Sequence, residues 1–421
     1  MRKIAYLANQ FPSSLEPYVC DEILELRKHG FAVIPCSARV AGANLPKETQ
    51  KALAAETLYL EPLQIKLGLQ AAWLCLRQAE NLGDLLRRVL LQGKEPMGRR
   101  ARALLHTWLG AYYALRLKAQ GVHHIHVHHG YFGSWVGMVA ARLLGIGFSM
   151  SLNGSDLLLH RAYLDIKLQH CRFCLTVSEF NRAHILRHYP QIAPQLVIVQ
   201  RMGVDIAPDN TAEAVSTRPE RGLTMLTVGR LHPVKDHAFL LRACKQLKER
   251  GLNFRCYIVG EGQERRSLES LMRSLDIESQ VHLLGYLPQP QLEDLYASCD
   301  VVVLTSRSEG IPLVLMEAMA REKVVLAPAI TGIPELVVDG ETGFLYWPGS
   351  VKDFVARAEE ISRLRLALDP MRRAARQHVK EHFDREKNLH ALAEWFLERI
   401  PDSPTPDSHA NPILQQVQLP V

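Results

Sequence analysis

The sequence lacks any apolar run approaching the about 18–20 residues that a membrane-spanning helix needs. Its start, Met1-Arg2-Lys3 followed by Ile4–Ala8, meets Asn9-Gln10 too soon for a signal-peptide core, and no small-residue cleavage site follows, so a buried first strand is expected. Cysteine is sparse: eight in 421 residues, far apart except Cys171 and Cys174. That excludes a disulfide framework and points to a reducing cytoplasm, with the lone Cys-x-x-Cys read as buried thiols. No repeat of solenoid period appears. No third glycine follows Gly260-Glu261-Gly262, and position 265 is Arg, which argues against a dinucleotide fingerprint and a nicotinamide enzyme. No Asp-x-Asp metal motif stands in a suitable loop.

What is present is an alternation of short apolar runs and helix-length segments. The expected strands of the first half are Ile4–Ala8, Ala32–Ser37, Ile125–His129, Phe148–Leu152, Phe173–Val177 and Leu196–Gln200. Those of the second are Leu223–Gly229, Phe254–Gly260, Val281–Gly285, Val301–Ser306, Val324–Pro328 and Phe344–Trp347. Val-, Ile- and Leu-rich runs without alternation suit strands buried on both faces. Helical patterns such as Tyr18–His29 and Ala238–Arg250 complete βαβ units, each stopped by a glycine, Gly30 and Gly251. The length calls for two domains. The expected division is 1–205, a polar linker at 206–222, 223–384, a final helix at 385–400 that could return to the first domain, and a disordered Pro/Ser/Asp-rich tail at 401–421. The fold class is α/β, two Rossmann-like doubly wound parallel-sheet domains, whose strand ends imply a cleft between them.

Chemistry concentrates in the second half. After the strand at Val301, Glu309-Gly310-Ile311-Pro312-Leu313 forms a turn into a helix that carries Glu317. Pro312 sits where a helix can begin, and the turn's free N–H groups and the helix dipole make an anion site. Carboxylates accept paired hydrogen bonds from vicinal hydroxyls, as a sugar or ribose offers. Gly229-Arg230 and Lys235 follow the strand at Leu223, near the same strand ends. A fixed Arg and Lys stabilise a diphosphate leaving group more as its charge grows, without a metal.

Together, Gly-Arg-Leu-x3-Lys (Gly229–Lys235), Val-Gly-Glu-Gly (Val259–Gly262), Glu309–Ala320, Thr331–Val337 and Asp339–Phe344 resemble the family-4 GT-B glycosyltransferases, group 1, of polysaccharide-biosynthesis type. The resemblance implies a retaining hexosyltransferase with Arg230 and Lys235 on the diphosphate, Glu309 on the donor sugar and Glu317 on the ribose. It implies Gly310, Ile311, Pro312 and Leu313 near phosphate and sugar, and Gly262, Gly285, Tyr286 and Leu287 around the nucleotide. The donor is then a nucleotide-sugar, with no cofactor and no metal, and the acceptor a glycan or lipid-linked molecule. The first half matches more loosely through Phe11-Pro12, Glu16, Asp21-Glu22, Asn153–Asp156, Val177-Ser178-Glu179 and Met202–Asp205. Glu16, His128, Asn153 and Asp156 stand as sugar or acceptor contacts. Asn153 replaces the family's usual His and Met202 its usual Asn; Asn still donates a neutral hydrogen bond but cannot carry a proton. Alternatives are a nucleotide-sugar-binding scaffold of weak or no activity, or a nucleotide-sugar epimerase.

Two segments carry a second reading. His124, His126 and His128 share a strand face and could bind zinc, but a packing or cleft-lining role is favoured. Residues 63–120 hold ten Lys or Arg against three Asp or Glu, among Trp73, Trp108, Tyr112 and Tyr113. They read either as packed amphipathic helices or as a patch for anionic membrane, carried by Arg87, Arg88, Arg99, Arg100 and Arg102. The second reading makes the protein cytoplasmic and peripheral on the inner face of the plasma membrane. No motif supports nucleic acid.

Overall fold

The computed structural model describes residues 2–13, 16–40, 48–92, 95–159, 161–206 and 222–402. Most of the expected linker, 207–221, and the tail from 403 on lie outside the described residues. Thirteen strands form among the described residues: β1 (Lys3–Gln10), β2 (Ala32–Arg39), β3 (Leu58–Tyr59), β4 (His124–His128), β5 (Gly147–Leu152), β6 (Phe173–Thr176), β7 (Val197–Val199), β8 (Leu223–Val228), β9 (Phe254–Val259), β10 (Val281–Gly285), β11 (Val301–Val303), β12 (Val324–Pro328) and β13 (Phe344–Tyr346). All pair in parallel, in two sheets ordered β3-β2-β1-β4-β5-β6-β7 and β10-β9-β8-β11-β12-β13. Every expected strand is present; only the two-residue β3, too short to show a period, escapes the sequence pattern. The strand expected to run to Ser306 ends at Val303; Leu304 N still donates to the Leu326 carbonyl (2.9 Å), and Thr305 then turns to the Lys235 carbonyl of a neighbouring loop. Helices Tyr18–Lys28 and His237–Glu249 are followed by Gly30 and Gly251 at φ +84° and +77°, a conformation that strains any side chain with a Cβ.

The chain divides into two compact units. The first comprises the described residues of Met1–Thr176, Arg182–Gln200 and Leu389–Val421; the second comprises Val177–Asn181 and Arg201–Asn388. In the first, the end of helix Arg385–Arg399 supplies Leu392, Ala393 and Phe396 to the core, with the Phe396 ring 5.4 Å from that of Phe173. In the second, Phe239, Tyr346 and Phe354 pack ring against ring under one face of the sheet.

Residues 63–120 form helices Ile65–Arg77, Gly83–Leu90 and Met97–Lys118. The third packs its later turns on helix Phe132–Leu144, so closely that a Cβ at Gly110 would lie 2.6 Å from that of Val139. The basic face differs from expectation. Arg88 is drawn inward by Asp165 (2.9 Å) and Glu95 (3.1 Å), and Arg100 donates to the Glu95 carbonyl (2.9 Å), since each finds a fixed acceptor that water would otherwise supply. Arg87, Arg99 and Arg102 stay exposed. No described helix is long and apolar enough to cross a membrane.

Candidate functional site

In an open parallel sheet, ligands gather at the carboxyl ends of the strands where the order reverses. In the second unit that point lies between β8 and β11. The loop after β8 runs through Gly229 and exposed Arg230 into a short 3₁₀ turn, Pro233–Lys235. The loop after β11 is stitched to it: Thr305 Oγ1 donates to the Lys235 carbonyl (3.0 Å), Arg307 N to the Val234 carbonyl (2.8 Å), and Arg307 Nε to Asp236 (2.7 Å). This seam brings Lys235 Nζ to 2.6 Å from Glu309 Oε1. The expected cation and carboxylate are therefore partners. Glu309 Oε2 accepts no hydrogen bond, and Arg230 has no ion-pair partner, among the described residues.

Glycines let a third loop join. Gly260 N donates to the Gly285 carbonyl (2.8 Å), and Leu231 N to the Glu261 carbonyl (2.9 Å). A Cβ at Gly260 would stand 1.9 Å from the Gly229 carbonyl oxygen, and one at Gly262 2.3 Å from that of Leu231. The Val-Gly-Glu-Gly run is thus a close backbone crossing. Gly285, at φ +74°, turns the chain after β10 so that Tyr286 stands exposed, with Leu287 packed beneath. On the other side Pro312 precedes helix Leu313–Ala320, whose first-turn Leu313 and Val314 N–H groups find no acceptor among the described residues. Gly310 and Ile311 lead into that turn, Ile311 anchoring it in the core. Glu317 lies on the helix with Oε2 accepting from Tyr296 (3.1 Å); burial, opposed by that bond and by Arg321, raises its pKa. Three residues at these strand ends were not among the expected site residues. Ser306, Thr331 and Glu264 each bury a polar side-chain atom with no partner among the described residues. Their only sequence signal is position, beside the motif glycines and Glu309.

In the first unit the order reverses between β1 and β4. His129, just past β4 at φ +79°, sits between Glu16 (2.8 Å from Nε2) and Asp156 (3.4 Å from Nδ1). Burial opposes its charge, but the two carboxylates override burial and lift its pKa to about 10. Asp156, 1% exposed, accepts from the N–H groups of Gly130 (2.9 Å), Gly154 (2.8 Å) and Asn153 (3.2 Å). Burial raises its pKa, yet His129 and these amides bring it to about 2. Its two oxygens accept these bonds and brace the loop around it. Asn153 Nδ2 lies 3.2 Å from His128 Nε2. His128, 1% exposed, is kept neutral by burial and lies 3.6 Å from Glu22. Tyr6 donates to Glu22, whose pKa burial lifts to about 7. Tyr6, Glu22 and His129 were not among the expected site residues.

The histidine strand forms no metal cage. His124 Nε2 and His126 Nδ1 share Ser149 Oγ at 2.7 and 2.8 Å, and burial keeps both neutral. Among the described residues the one group spaced to hold a metal is Glu25, His29 and His390, away from this strand.

These motifs match two family models, Glycosyltransferase Family 4 over residues 58–207 and Glycosyl transferases group 1 over residues 209–381. The chain belongs to the family-4, group 1 glycosyltransferases of GT-B fold. Among relatives of this family, AmsK of Erwinia amylovora, named as an amylovoran biosynthesis glycosyltransferase, is 26% identical over 94% of this chain and 100% of its own. WcaL of Salmonella typhimurium, named for colanic acid biosynthesis, is 34% identical over 48% of this chain, which spans about half (50%) of that relative's length. Among solved structures, Anabaena Alr3699/HepE in complex with UDP-glucose superposes with a TM-score of 0.68 at 18% identity, covering 94% of this glycosyltransferase-family chain and 100% of that one.

Proposed function

We propose that the protein is a retaining, metal-independent glycosyltransferase of cell-surface polysaccharide biosynthesis, moving a sugar from a nucleotide-sugar to a glycan or lipid-linked acceptor. The observation that carries this reading is the Lys235–Glu309 pair at the β8/β11 switch point, beside unpaired Arg230 and the free amides of Leu313 and Val314. In this reading the diphosphate enters between Arg230, Lys235 and those amides, and Lys235 turns from a carboxylate partner into a phosphate ligand. Glu309, relieved of full pairing, accepts from the donor sugar's hydroxyls through its open oxygen. Glu317 takes the ribose hydroxyls, and exposed Tyr286 offers its ring to the base. As the bond from C1 to the diphosphate oxygen breaks, the acceptor oxygen bonds C1 on the same face and its proton passes to the leaving phosphate. The gain in phosphate charge is what Arg230 and Lys235 stabilise. The UDP-glucose complex of the structural neighbour and the names of AmsK and WcaL support a nucleotide-sugar donor and a polysaccharide context.

A cytoplasmic site at the membrane face is supported by helix Ile65–Arg77. Ile65, Leu69, Trp73 and Leu76 recur at helical spacing and are all exposed, Ile65 by 84% and Leu76 by 77%. A panel of nucleotide-sugars tests the function. One donor raises the melting temperature and is slowly hydrolysed to free sugar, with full rate in excess chelator. Binding without turnover indicates the scaffold alternative, a C2- or C4-inverted nucleotide-sugar the epimerase, and chelator inactivation reversed by a divalent ion sinks metal independence.

A further inference from the structure

A cavity lies in the first unit, where helix Met97–Lys118 passes the loop after β4. Its volume is about 440 Å³, within the usual range for a small-molecule site. Arg99, Arg102 and His106, spaced three and four apart, present one helix face to it. Lys167 forms the inner wall. It is 3% exposed and donates to the carbonyls of Gly130 (2.8 Å) and Tyr131 (3.2 Å), two uses for three N–H bonds. No Asp or Glu lines the cavity, and neither Arg99, Arg102 nor Lys167 has an ion-pair partner among the described residues. The nearest buried carboxylate, Asp156, is already occupied by His129 and three amides. The positive charge registers in the neighbours: burial first, then Lys167 and Arg102, push His106 down to about 4, and burial brings Lys167 to about 7 against the opposing pull of Asp156 and Asp165.

A buried ammonium with no carboxylate at ion-pair distance is costly, and Asp156 and Asp165 favour its charge only from farther off, so an anion from outside the chain has a place at close range. The rest of the wall is apolar, with Phe132, Trp135 and Tyr163 beside the cations. We propose that this cavity binds the phosphate or diphosphate head of an amphiphilic acceptor, Arg99, Arg102 and Lys167 holding the anion and the aromatic rings the first carbons of its tail. This deepens the transferase reading and rests on it for the word acceptor, but the binding itself does not. The same loop carries His129 and then Gly130 and Tyr131, so the anion would be anchored beside the first unit's switch point.

The test uses the full-length protein and geranyl diphosphate, followed calorimetrically. Wild type binds it, binds inorganic pyrophosphate more weakly, and ignores geraniol. Arg99→Gln/Arg102→Gln, at exposed unpaired positions, loses about tenfold or more in affinity, as expected for charge-assisted bonds. Arg87→Gln, an exposed control outside the cavity, and Arg230→Ala, on the other unit, bind as wild type. Undiminished binding by the double variant overturns the proposal, as does binding lost in Arg230→Ala, which places the probe at the donor loops. Phosphatidylglycerol vesicles give a second arm. If they displace geranyl diphosphate and Arg87→Gln weakens both as much as the double variant, the attraction is that of a general basic surface, and the cavity site is refuted. Donor hydrolysis by wild type is measured alongside. Its absence removes the transferase reading alone, and its presence with unaltered binding in the double variant removes the cavity alone.

Discussion

Both units place an ion pair where their strand order reverses, and the two pairs differ in kind. Lys235 and Glu309 are fully neither buried nor exposed, at 21% and 14%, and each retains capacity for a further partner. His129 is locked between Glu16 and Asp156, and Asp156 has no capacity left. The same topological position thus yields a pair that a ligand can rearrange and a pair that fixes the backbone around it. The difference is one of solvent and hydrogen-bond supply. A half-exposed pair costs little to break because water and ligand oxygens replace it, whereas a buried one leaves a bare charge behind.

The largest expected effect breaks the rigid pair. Asp156→Asn leaves His129 short of its buried counter-charge and should cost about 3–5 kcal/mol of unfolding free energy, read from denaturant melts. The pH signature follows from the shifts. His129 is raised from 6.5 to about 10, so its contribution is complete below 6.5 and fades as pH climbs through 10. Asp156 is lowered from 3.8 to about 2, so its contribution holds above 3.8 and fades as pH falls through 2. The wild type should therefore lose stability between 6.5 and 10 more steeply than His129→Gln does. Equal slopes would falsify the buried-cation account.

The adaptable pair should behave oppositely. Lys235→Ala should leave the melting curve within about 1 kcal/mol of wild type, because a part-exposed pair contributes little. It should lower kcat by about 10²–10³, the loss typical of one preorganised contact to developing charge. A large stability loss with unchanged kcat would reverse the assignment of the two pairs.

The contrast also governs what the sequence discloses. The second unit's site joins loops as far apart as those of Lys235 and Glu309, 74 positions, but Gly229, Gly260 and Gly262 permit backbone crossings and Glu309 and Lys235 sit in motifs of their own. Local residue types carry that information. The first unit's pair joins residues 113 positions apart; Glu16 reads as a sugar or acceptor contact and His129 as the last residue of a strand, and nothing local says that the two meet. Period-two reasoning sorted His124, His126 and His128 onto one face and took His129 as the end of the strand, whereas it lies past the strand end at positive φ. Arg88 and Arg100 show the same limit: a basic run has a legible composition, but which arginine meets Glu95 depends on tertiary packing. Lys167, in a six-residue helix with polar neighbours, offers no sequence sign that it is buried.

A smaller effect sharpens the donor side. Glu317 has one oxygen on Tyr296 and the other without a hydrogen bond among the described residues. Glu317→Gln keeps the shape and removes the charge, so affinity for the nucleoside diphosphate should fall by about 1.5–3 kcal/mol with the fold intact. Tyr296→Phe separates the two oxygens: affinity should hold if only the open one meets the ribose. Unchanged nucleotide affinity in Glu317→Gln removes the ribose assignment.

The smallest effect concerns the helix at Ile65–Arg77, whose outward apolar stripe contributes nothing to the first unit's core. Leu69 and Trp73 are 68% and 51% exposed, and the Arg77 guanidinium lies 5.0 Å over the Trp73 ring. Such a stripe resembles an interfacial helix, with apolar side chains entering the headgroup boundary and basic ones remaining at the surface. Partial burial there is worth roughly 1 kcal/mol per side chain, below the value for full burial. Leu69→Ser/Trp73→Ser should therefore reduce sedimentation with phosphatidylglycerol vesicles while leaving the melting curve unchanged, and the loss should persist at high salt. Arg87→Gln should cost about 1 kcal/mol at low salt and nothing at high salt, because screening removes that attraction. Equal vesicle binding by the stripe variant, at both salts, would leave the apolar face without a membrane role and make charge alone the attraction.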